Sequence, residues 1–208
     1  MARLFVSAAH KSSGKTTVSI GLAAAFRARG LEPAVFKKGP DYIDPLWLAR
    51  ASGRPVYNLD FNTQTIDEIR SLFAEKTAGA GLALIEGNKG LHDGVDTAGS
   101  DASAALARAL DAPVVLVVDV TGMTRGIAPL ILGYQAFDPA VRLAGVILNQ
   151  VSTARQEDKL RAAVAAYTDL PVLGALPRAP AVIVKERHLG LTTPGDADGP
   201  EARIEAIR

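Results

Sequence analysis

Short apolar runs alternate with longer amphipathic stretches along almost the whole chain. The runs are rich in Val, Ile and Leu and show little apolar–polar alternation, as is typical of strands covered on both faces. We predict strands over Leu4–Ala8, Pro33–Phe36, Leu82–Glu86, Pro113–Asp119, Leu143–Leu148 and Pro171–Gly174. We predict helices over Thr16–Arg29, Thr65–Lys76, Asp101–Leu110, Thr124–Phe137 and Arg155–Tyr167. This order predicts an α/β fold with a parallel sheet flanked by helices.

The composition excludes several classes of protein. Among 208 residues, 48% are hydrophobic and 22% are charged, which excludes a disordered tail and suffices for one sizeable core. The net charge of +1 gives no basis for a nucleic-acid partner or an anionic membrane surface. No apolar stretch approaches the ~18 residues of a membrane helix, and no secretory signal is recognisable, so we expect a cytoplasmic protein. The chain contains no cysteine, which excludes disulfides and thiolate metal sites within it.

The segment after the first predicted strand carries a phosphate-loop pattern. Ala9–Thr17 reads AHKSSGKTT, with Ala9 where the pattern usually has its leading glycine. The glycine before the lysine lets backbone N–H groups close around a phosphate, and the helix N-terminus adds a positive dipole. Lys15 is expected to reach the terminal phosphates and Thr16 to ligate magnesium. The residues predicted to bind nucleotide here are Ser12, Ser13, Gly14, Lys15, Thr16 and Thr17.

A charged loop follows the second predicted strand. Phe36–Pro45 places two lysines and then two carboxylates, three residues apart, around a Gly-Pro turn. In an open α/β sheet, ligands collect beyond the carboxyl ends of the strands, where this loop lies. Its carboxylates could hold magnesium through water and its lysines could hold an anionic substrate, although most stretches of this kind are solvated turns.

The same loop carries a resemblance to a known family. Lys37–Pro45, which reads KKGPDYIDP, resembles the cobyrinic acid a,c-diamide synthase family, as do the following Gly53–Pro55 and Asn58–Asp60. Further segments that resemble the family, in the same order along the chain, are Glu86–Gly94, Pro113–Asp119, Gly145–Asn149 and Glu186–Leu191. The resemblance spans nearly the whole chain and implies a P-loop NTPase-type fold that is similar to dethiobiotin synthetase.

The resemblance also implies a reaction. Members of that family amidate carboxylate side chains of a tetrapyrrole with ATP, magnesium and ammonia drawn from glutamine. The implied mechanism phosphorylates a substrate carboxylate to an acyl phosphate, which ammonia then attacks. Phosphoryl transfer depends mainly on positioning and charge neutralisation, which suits the charged loops described above. We therefore expect a carbon–nitrogen ligase with ATP and Mg²⁺ as cofactors and a tetrapyrrole carboxylate as substrate.

Roles for individual residues come from the same resemblance. The residues expected to hold the metal are Thr16, Asp41 and Glu86, the last in the place of a Walker B acid. The expected catalytic residues are Lys15, Lys37, Asp41, Asp44 and Asp93. Asn149 resembles an adenine-recognising asparagine, and Pro177 and Arg178, after the last predicted strand, are expected to border the nucleotide. The expected substrate-binding residues are Lys38, Tyr42, Asp44, Lys89, His92 and Arg125.

Departures from the family pattern lie on loops expected to face the substrate. Lys89 and His92 replace apolar residues, and Arg125 replaces a small one. Additional cationic groups favour a more anionic ring, so sirohydrochlorin or siroheme is an alternative to cobyrinic acid. Two alternatives of other classes stay open, namely a P-loop ATPase switch and a tetrapyrrole-binding module without ligase activity.

In light of the resemblance, the absence of cysteine also bears on the source of ammonia. Enzymes of this family usually continue into a glutaminase domain whose nucleophile is a cysteine. We therefore expect residues 1–191 to form the ATP-dependent amidoligase domain and residues 192–208 to be a linker toward an absent glutamine amidotransferase domain. A glutamine amidotransferase domain or subunit is then the expected ammonia source, and a homodimer is expected by analogy only.

Overall fold

Strands and helices alternate along the chain as the sequence predicts. A computed structural model describes residues 1–179, 186–187, 190–195 and 199–208. The strands are β1 Ala2–Ala8, β2 Pro33–Lys38, β3 Val56–Leu59, β4 Leu82–Glu86, β5 Val114–Asp119, β6 Leu143–Val151, β7 Val172–Pro177, β8 Glu186–Arg187 and β9 Gly190–Leu191. The helices are α1 Lys15–Ala28, α2 Asp44–Ser52, α3 Ile66–Thr77, α4 Ser103–Ala109, α5 Ile127–Phe137, α6 Ala154–Tyr167 and α7 Pro200–Ile207.

The first seven strands form one sheet in the order β3-β2-β4-β1-β5-β6-β7, and β8 pairs with β9 in a separate antiparallel ribbon. The β1–β4, β2–β4, β2–β3, β5–β6 and β6–β7 pairings are all parallel. β2 and β4 are buried along their whole length, which explains why their sequences lack apolar–polar alternation. The predicted α/β fold with a parallel sheet flanked by helices is confirmed.

The chain divides into two compact units, and each is described by itself. Unit 1 comprises residues 1–6, 15–88 and the described part of 180–208, and unit 2 comprises residues 7–14 and 89–179. Large, fully buried side chains of unit 1 are Phe5, Ile20, Phe36, Trp47 and Leu84. Those of unit 2 include Leu91, Leu106, Leu116, Ile131 and Leu148. Among the described residues, none of the helices combines the length and apolar character that a bilayer-spanning segment requires.

Two elements between β2 and α3 are absent from the prediction. Helix α2 begins at Asp44 with a proline at its start, and it ends at Ser52, followed by Gly53 as its C-cap with a left-handed φ of 72°. The Gly-Pro signal just before it favours a loop, but burial of Trp47 and Leu48 stabilises a helix here. Strand β3 has only four residues and lies at the sheet edge, too short for a clear periodic pattern.

Three predicted strands end too early. β2 continues to Lys38, β6 to Val151 and β7 to Pro177. Lys37, Lys38 and Asn149 therefore lie within strands, and Pro177 is the last residue of β7 instead of following it. The physical reason is that hydrogen bonding with neighbouring strands continues beyond the apolar run. Lys37 of β2, for example, pairs with Glu86 of β4.

Helix α7, which no sequence pattern predicted, packs within unit 1. Its Ile204 is 9% exposed. Gly21 of α1 lies close to Ile207, since a Cβ atom on Gly21 would be 3.0 Å from the Ile207 carbonyl oxygen. Glu201 accepts a hydrogen bond of 2.6 Å from Arg50 Nε of α2. The expectation that residues 192–208 lead to a further domain stays a prediction.

The segment before α7 is also fixed to α2. The indole Nε1 of Trp47, a fully buried side chain, donates to the carbonyl oxygen of Thr192 at 2.7 Å. Of the family-like segment Glu186–Leu191, residues 188 and 189 lie outside the described residues.

Candidate active site

Unit 1 holds a buried lysine among three carboxylates where β2 and β4 end. Lys37 Nζ lies 2.6 Å from Asp44 Oδ2, 2.8 Å from Glu86 Oε1 and 3.8 Å from Asp41 Oδ2. It also donates to the Gly87 carbonyl oxygen at 3.2 Å. Lys37 is 2% exposed and Glu86 is 0% exposed, so the ammonium balances charge that water does not reach.

The hydroxyl of Thr16 converges on the same two carboxylate oxygens. Thr16 Oγ1 lies 2.7 Å from Glu86 Oε1 and 3.2 Å from Asp44 Oδ2. Thr16 belongs to the first turn of α1, Asp44 begins α2 and Glu86 ends β4. The parallel sheet thus brings together a lysine, a hydroxyl and two carboxylates from four separate elements.

The charges in this cluster depend on one another. Burial acts to lower the pKa of the Lys37 ammonium, but Glu86, Asp44 and Asp41 outweigh burial and raise this pKa. Burial raises the pKa of Glu86, and the nearby Lys37 only partly offsets that rise. Lys37 therefore stays protonated in the folded chain.

The donor set suits a hard divalent cation such as Mg²⁺. Glu86 Oε2 is buried and accepts no hydrogen bond from the described residues, so one carboxylate oxygen is left unsatisfied. Mg²⁺ prefers oxygen ligands and commonly takes only one or two from protein, with phosphate and water supplying the others. This fits the observation that no three His, Asp or Glu side chains of the described chain are grouped as a metal site by themselves.

Besides the metal-binding and catalytic roles predicted for it, Asp41 stabilises the local backbone. Its Oδ1 accepts hydrogen bonds from the backbone N–H groups of Ile43 and Asp44 at 3.0 and 3.1 Å. It thereby fixes the start of α2 and the direction of Asp44.

The two neighbouring residues predicted to bind substrate differ in exposure. Lys38 is buried, whereas Tyr42 is 73% exposed. The metal, catalytic and substrate roles predicted for Asp41, Lys38 and Tyr42 stay predictions.

The part of the phosphate loop before Lys15 belongs to unit 2. Asn149 Nδ2 donates to the Ser13 carbonyl oxygen at 2.9 Å, and Ser13 Oγ donates to the His10 carbonyl oxygen at 2.8 Å. Gly14 has a φ of 92°, and a Cβ atom there would clash with the Asn149 side chain. Glycine is required at this position for both reasons. The adenine-reading role of Asn149 stays a prediction, and its Nδ2 is engaged by the loop itself.

Tyr134 of α5 is a candidate functional residue that the sequence did not reveal. Its hydroxyl donates to the carbonyl oxygen of Ala9, the first residue of the phosphate loop. The His92 ring stacks on the Tyr134 ring with centroids 5.5 Å apart, and it meets the Phe137 ring edge-on at 4.8 Å. In the sequence, Tyr134 is an aromatic residue within an apolar helix. Most such residues pack in a hydrophobic core, so the sequence alone does not predict a contact with the phosphate loop.

His92 is surrounded by rings and opposing charges. Burial lowers the pKa of His92, and Arg108 acts in the same direction, while Asp138 and Asp93 oppose them. His92 Nε2 is buried and has no hydrogen-bond partner among the described residues. The side chain therefore favours its neutral form.

The other predicted residues of unit 2 are distributed over its surface. Asp93 Oδ2 accepts from the Gly90 backbone N–H at 3.0 Å. Lys89 is exposed and has a left-handed φ of 51°. The Arg125 guanidinium lies 5.0 Å from the centre of the Tyr167 ring, in a groove whose lining does not include His92. Arg178 is exposed, and its backbone N–H donates to the Val151 carbonyl oxygen at 2.8 Å.

Comparisons with known proteins agree with the resemblance. Residues 2–186 match a family model described as an AAA domain. Over 205 residues the chain is 48% identical to the cobyrinate a,c-diamide synthase of Magnetococcus marinus, which covers 99% of this chain and 44% of that protein. Over 190 residues it is 47% identical to the hydrogenobyrinate a,c-diamide synthase of Streptomyces coelicolor, covering 91% of this chain and 39% of that protein. The chain thus spans less than half the length of these relatives.

Solved structures with similar folds are more distant in sequence. Chloroplast FtsY from Physcomitrella patens matches with a TM-score of 0.59 and 17% identity, over 99% of this chain and 65% of that one. The hydrogenase maturation factor HypB from Archaeoglobus fulgidus matches with a TM-score of 0.55 and 14% identity, over 100% and 89%. Likeness at these identities concerns the fold alone. With the match over residues 2–186, the chain belongs to the AAA domain family, and its resemblance to cobyrinate a,c-diamide synthases is confirmed.

Proposed function

We propose that this chain carries the ATP-dependent part of an amidation of tetrapyrrole carboxylates, of the a,c-diamide synthase type. The observation that supports this most directly is the cluster of Lys37, Asp44 and Glu86 around the hydroxyl of Thr16. Thr16 follows Gly14 and Lys15, so one member of this cluster belongs to the phosphate-loop motif itself. Phosphoryl transfer needs this combination of positioned cations and metal-holding oxygens.

In the proposed reaction the chain's residues position and neutralise the phosphates. Lys15 would contact the terminal phosphates of ATP. Thr16 and Glu86 of the predicted metal set, with Asp44 because it shares the Thr16 hydroxyl, would hold Mg²⁺, which would supply neutralisation of phosphate charge. A carboxylate oxygen of the substrate attacks the γ-phosphorus, and the bond to ADP breaks. Ammonia then attacks the carboxyl carbon of the acyl phosphate, inorganic phosphate leaves and an amide remains.

The ring most favoured as substrate is cobyrinate or hydrogenobyrinate. Relatives at 48% and 47% identity bear these names. Of the cationic departures that favour a more anionic ring, His92 and Arg125 are in contact with aromatic rings of unit 2. Burial favours the neutral form of His92, and the Arg125 guanidinium lies against the Tyr167 ring, so these two departures give little support for a more anionic ring. Sirohydrochlorin or siroheme stays the second candidate, supported by the exposed Lys89.

The ammonia is proposed to come from a glutaminase with a cysteine nucleophile. These 208 residues contain no cysteine, so residues outside them would carry that step. The synthetase reaction can be tested without it, because an ammonium salt supplies the same nucleophile.

The decisive experiment incubates the chain with ATP, Mg²⁺, an ammonium salt and each candidate ring, followed by high-resolution mass spectrometry. Amidation replaces a hydroxyl group by an amino group, and ADP and phosphate should appear in equal amounts. ATP hydrolysis that no ring influences would instead support a switch ATPase. Ring binding without hydrolysis would support a binding module, and Lys15→Ala is the control that should be inactive.

A further inference from the structure

Ala9 belongs to unit 2, and both of its backbone polar groups form hydrogen bonds within that unit. The Ala9 N–H donates to the Val117 carbonyl oxygen of β5 at 3.1 Å. The Ala9 carbonyl oxygen accepts from the Tyr134 hydroxyl. Gly90 lies against the same carbonyl, since a Cβ atom on Gly90 would be 2.9 Å from it. The two peptide planes that meet at Ala9 are therefore each fixed by a hydrogen bond, and Gly90 packs against the carbonyl of the second plane, with which the phosphate loop begins.

The Tyr134 ring is itself held in place. His92 stacks on it at 5.5 Å with an angle of 29° between the ring planes, and Phe137 supports His92 edge-on. His92 takes part through its ring face, because its buried Nε2 has no partner among the described residues. Aromatic pairs of this geometry stabilise contacts beyond their buried area.

The loop that carries His92 is attached to the same end of β1. The Leu91 N–H donates to the Ala8 carbonyl oxygen at 2.8 Å, and the Leu91 carbonyl oxygen accepts from the Ala104 N–H at 2.8 Å. Asp93 Oδ2 fixes the Gly90 N–H at 3.0 Å. Residues 90–93 thus form a rigid support on which the ring contacts rest.

We propose that Tyr134 is a positioning residue for nucleotide binding, with its hydroxyl orienting the Ala9 carbonyl and His92 holding its ring. Phosphate loops bind through backbone N–H groups that must point at one place, so a rotation of the first peptide plane changes the direction of those that follow. The inference rests on the proposed function, because it assumes that the loop binds a nucleotide. It adds a residue outside the phosphate-loop motif to that site.

Tyr134→Phe is the first test, because it removes the hydroxyl and keeps the ring. We expect the dissociation constant for a non-hydrolysable ATP analogue to rise about three- to tenfold, the effect of one hydrogen bond. In the amidation assay the KM for ATP should rise while kcat changes little. Tyr167→Phe, the same substitution in unit 2 beside Arg125, is the matched control and should bind as the unmodified chain does.

Two variants of His92 test the second half of the proposal. His92→Phe keeps an aromatic ring and should retain nucleotide affinity, whereas His92→Ala should weaken it. Adding His92→Ala to Tyr134→Phe should have little further effect, because both changes act through one contact. Thermal unfolding of each variant verifies that it is folded.

Unchanged affinity in a folded Tyr134→Phe would overturn the inference while leaving the proposed function intact. If that variant does not fold, equal nucleotide binding by His92→Ala and His92→Phe would overturn it in the same way. An unmodified chain that binds no ATP analogue would instead overturn the nucleotide-binding part of the proposed function, and this inference with it.

Discussion

At the residue scale, Lys37 determines how charge is balanced in unit 1. Sequence reasoning placed it in a loop and assigned it a catalytic role, without locating its partners. The structure buries it at the end of β2, 2.8 Å from Glu86 Oε1 and 2.6 Å from Asp44 Oδ2. Removing one partner of a buried ion pair leaves an uncompensated charge, which costs far more than the loss of an exposed pair.

Lys37→Met should therefore lower the free energy of unfolding by about 3–5 kcal/mol in metal-free buffer. Mg²⁺ should recover part of this loss, because a cation between Glu86 and Asp44 replaces the missing ammonium. Chemical denaturation with and without Mg²⁺ measures both effects. Arg142→Met, at an exposed pair with Asp111, is the control and should change little. A Lys37→Met variant that Mg²⁺ does not stabilise would count against the predicted metal site.

His92 provides a pH-dependent prediction. Burial lowers its pKa in the folded chain below the ordinary value of 6.5, so the unfolded chain binds the proton more readily. The free energy of unfolding should thus fall as the pH falls from 7 to 5. In His92→Phe this fall should be smaller, since the titrating group is gone. Denaturation at several pH values tests it, and an unchanged pH profile would contradict it.

At the element scale, the sequence located most helices and strands but missed those whose signals are short or polar. Thr65 and Glu68 form a capping box, and α3 begins at Ile66, one residue from the predicted boundary. Helix α2 was hidden by Gly39 and Pro40, which indicate a turn, and β3 by its length. The deciding factor was burial of Trp47 and Leu48 for α2 and parallel pairing with β2 for β3, and a short segment reveals neither.

Helix α7 allows a test of whether residues 192–208 are more than a linker. Ile204→Ala should lower the free energy of unfolding by about 2–4 kcal/mol, because this side chain is buried. Leu132→Ala, at a site that is 44% exposed, should have a much smaller effect. Urea denaturation compares the two. If Ile204→Ala left stability unchanged, α7 would contribute nothing to unit 1.

At the scale of the whole molecule, ligand binding should raise the free energy of unfolding. A ligand that binds only the folded chain, present at a hundred times its dissociation constant, stabilises it by about 2.7 kcal/mol. We expect MgATP to do so without any tetrapyrrole. Gly14→Ala should abolish this gain, because the φ of 92° and the contact with Asn149 exclude a side chain.

Gly133→Ala is the matched control for that measurement. Gly133 lies in α5, and apart from its sequence neighbours and the backbone of its own helix, no heavy atom of the described residues would lie within 4 Å of a Cβ atom there. Its MgATP-dependent stabilisation should equal that of the unmodified chain in thermal or chemical unfolding. A Gly14→Ala variant that is stabilised as strongly as this control would contradict the phosphate-loop assignment.

Features that depend on residues close together in the chain could be predicted from the amino-acid sequence. Apolar runs and amphipathic spacing indicated the sheet and most helices, and Gly14, Lys15 and Thr16 indicated the phosphate loop. Which polar groups contact one another follows from the three-dimensional fold. Lys37 and Glu86 are 49 residues apart, and Ala9 and Tyr134 are 125 apart. Such contacts depend on the strand order β3-β2-β4-β1-β5-β6-β7 and on how helices pack against the sheet, and no local pattern encodes either.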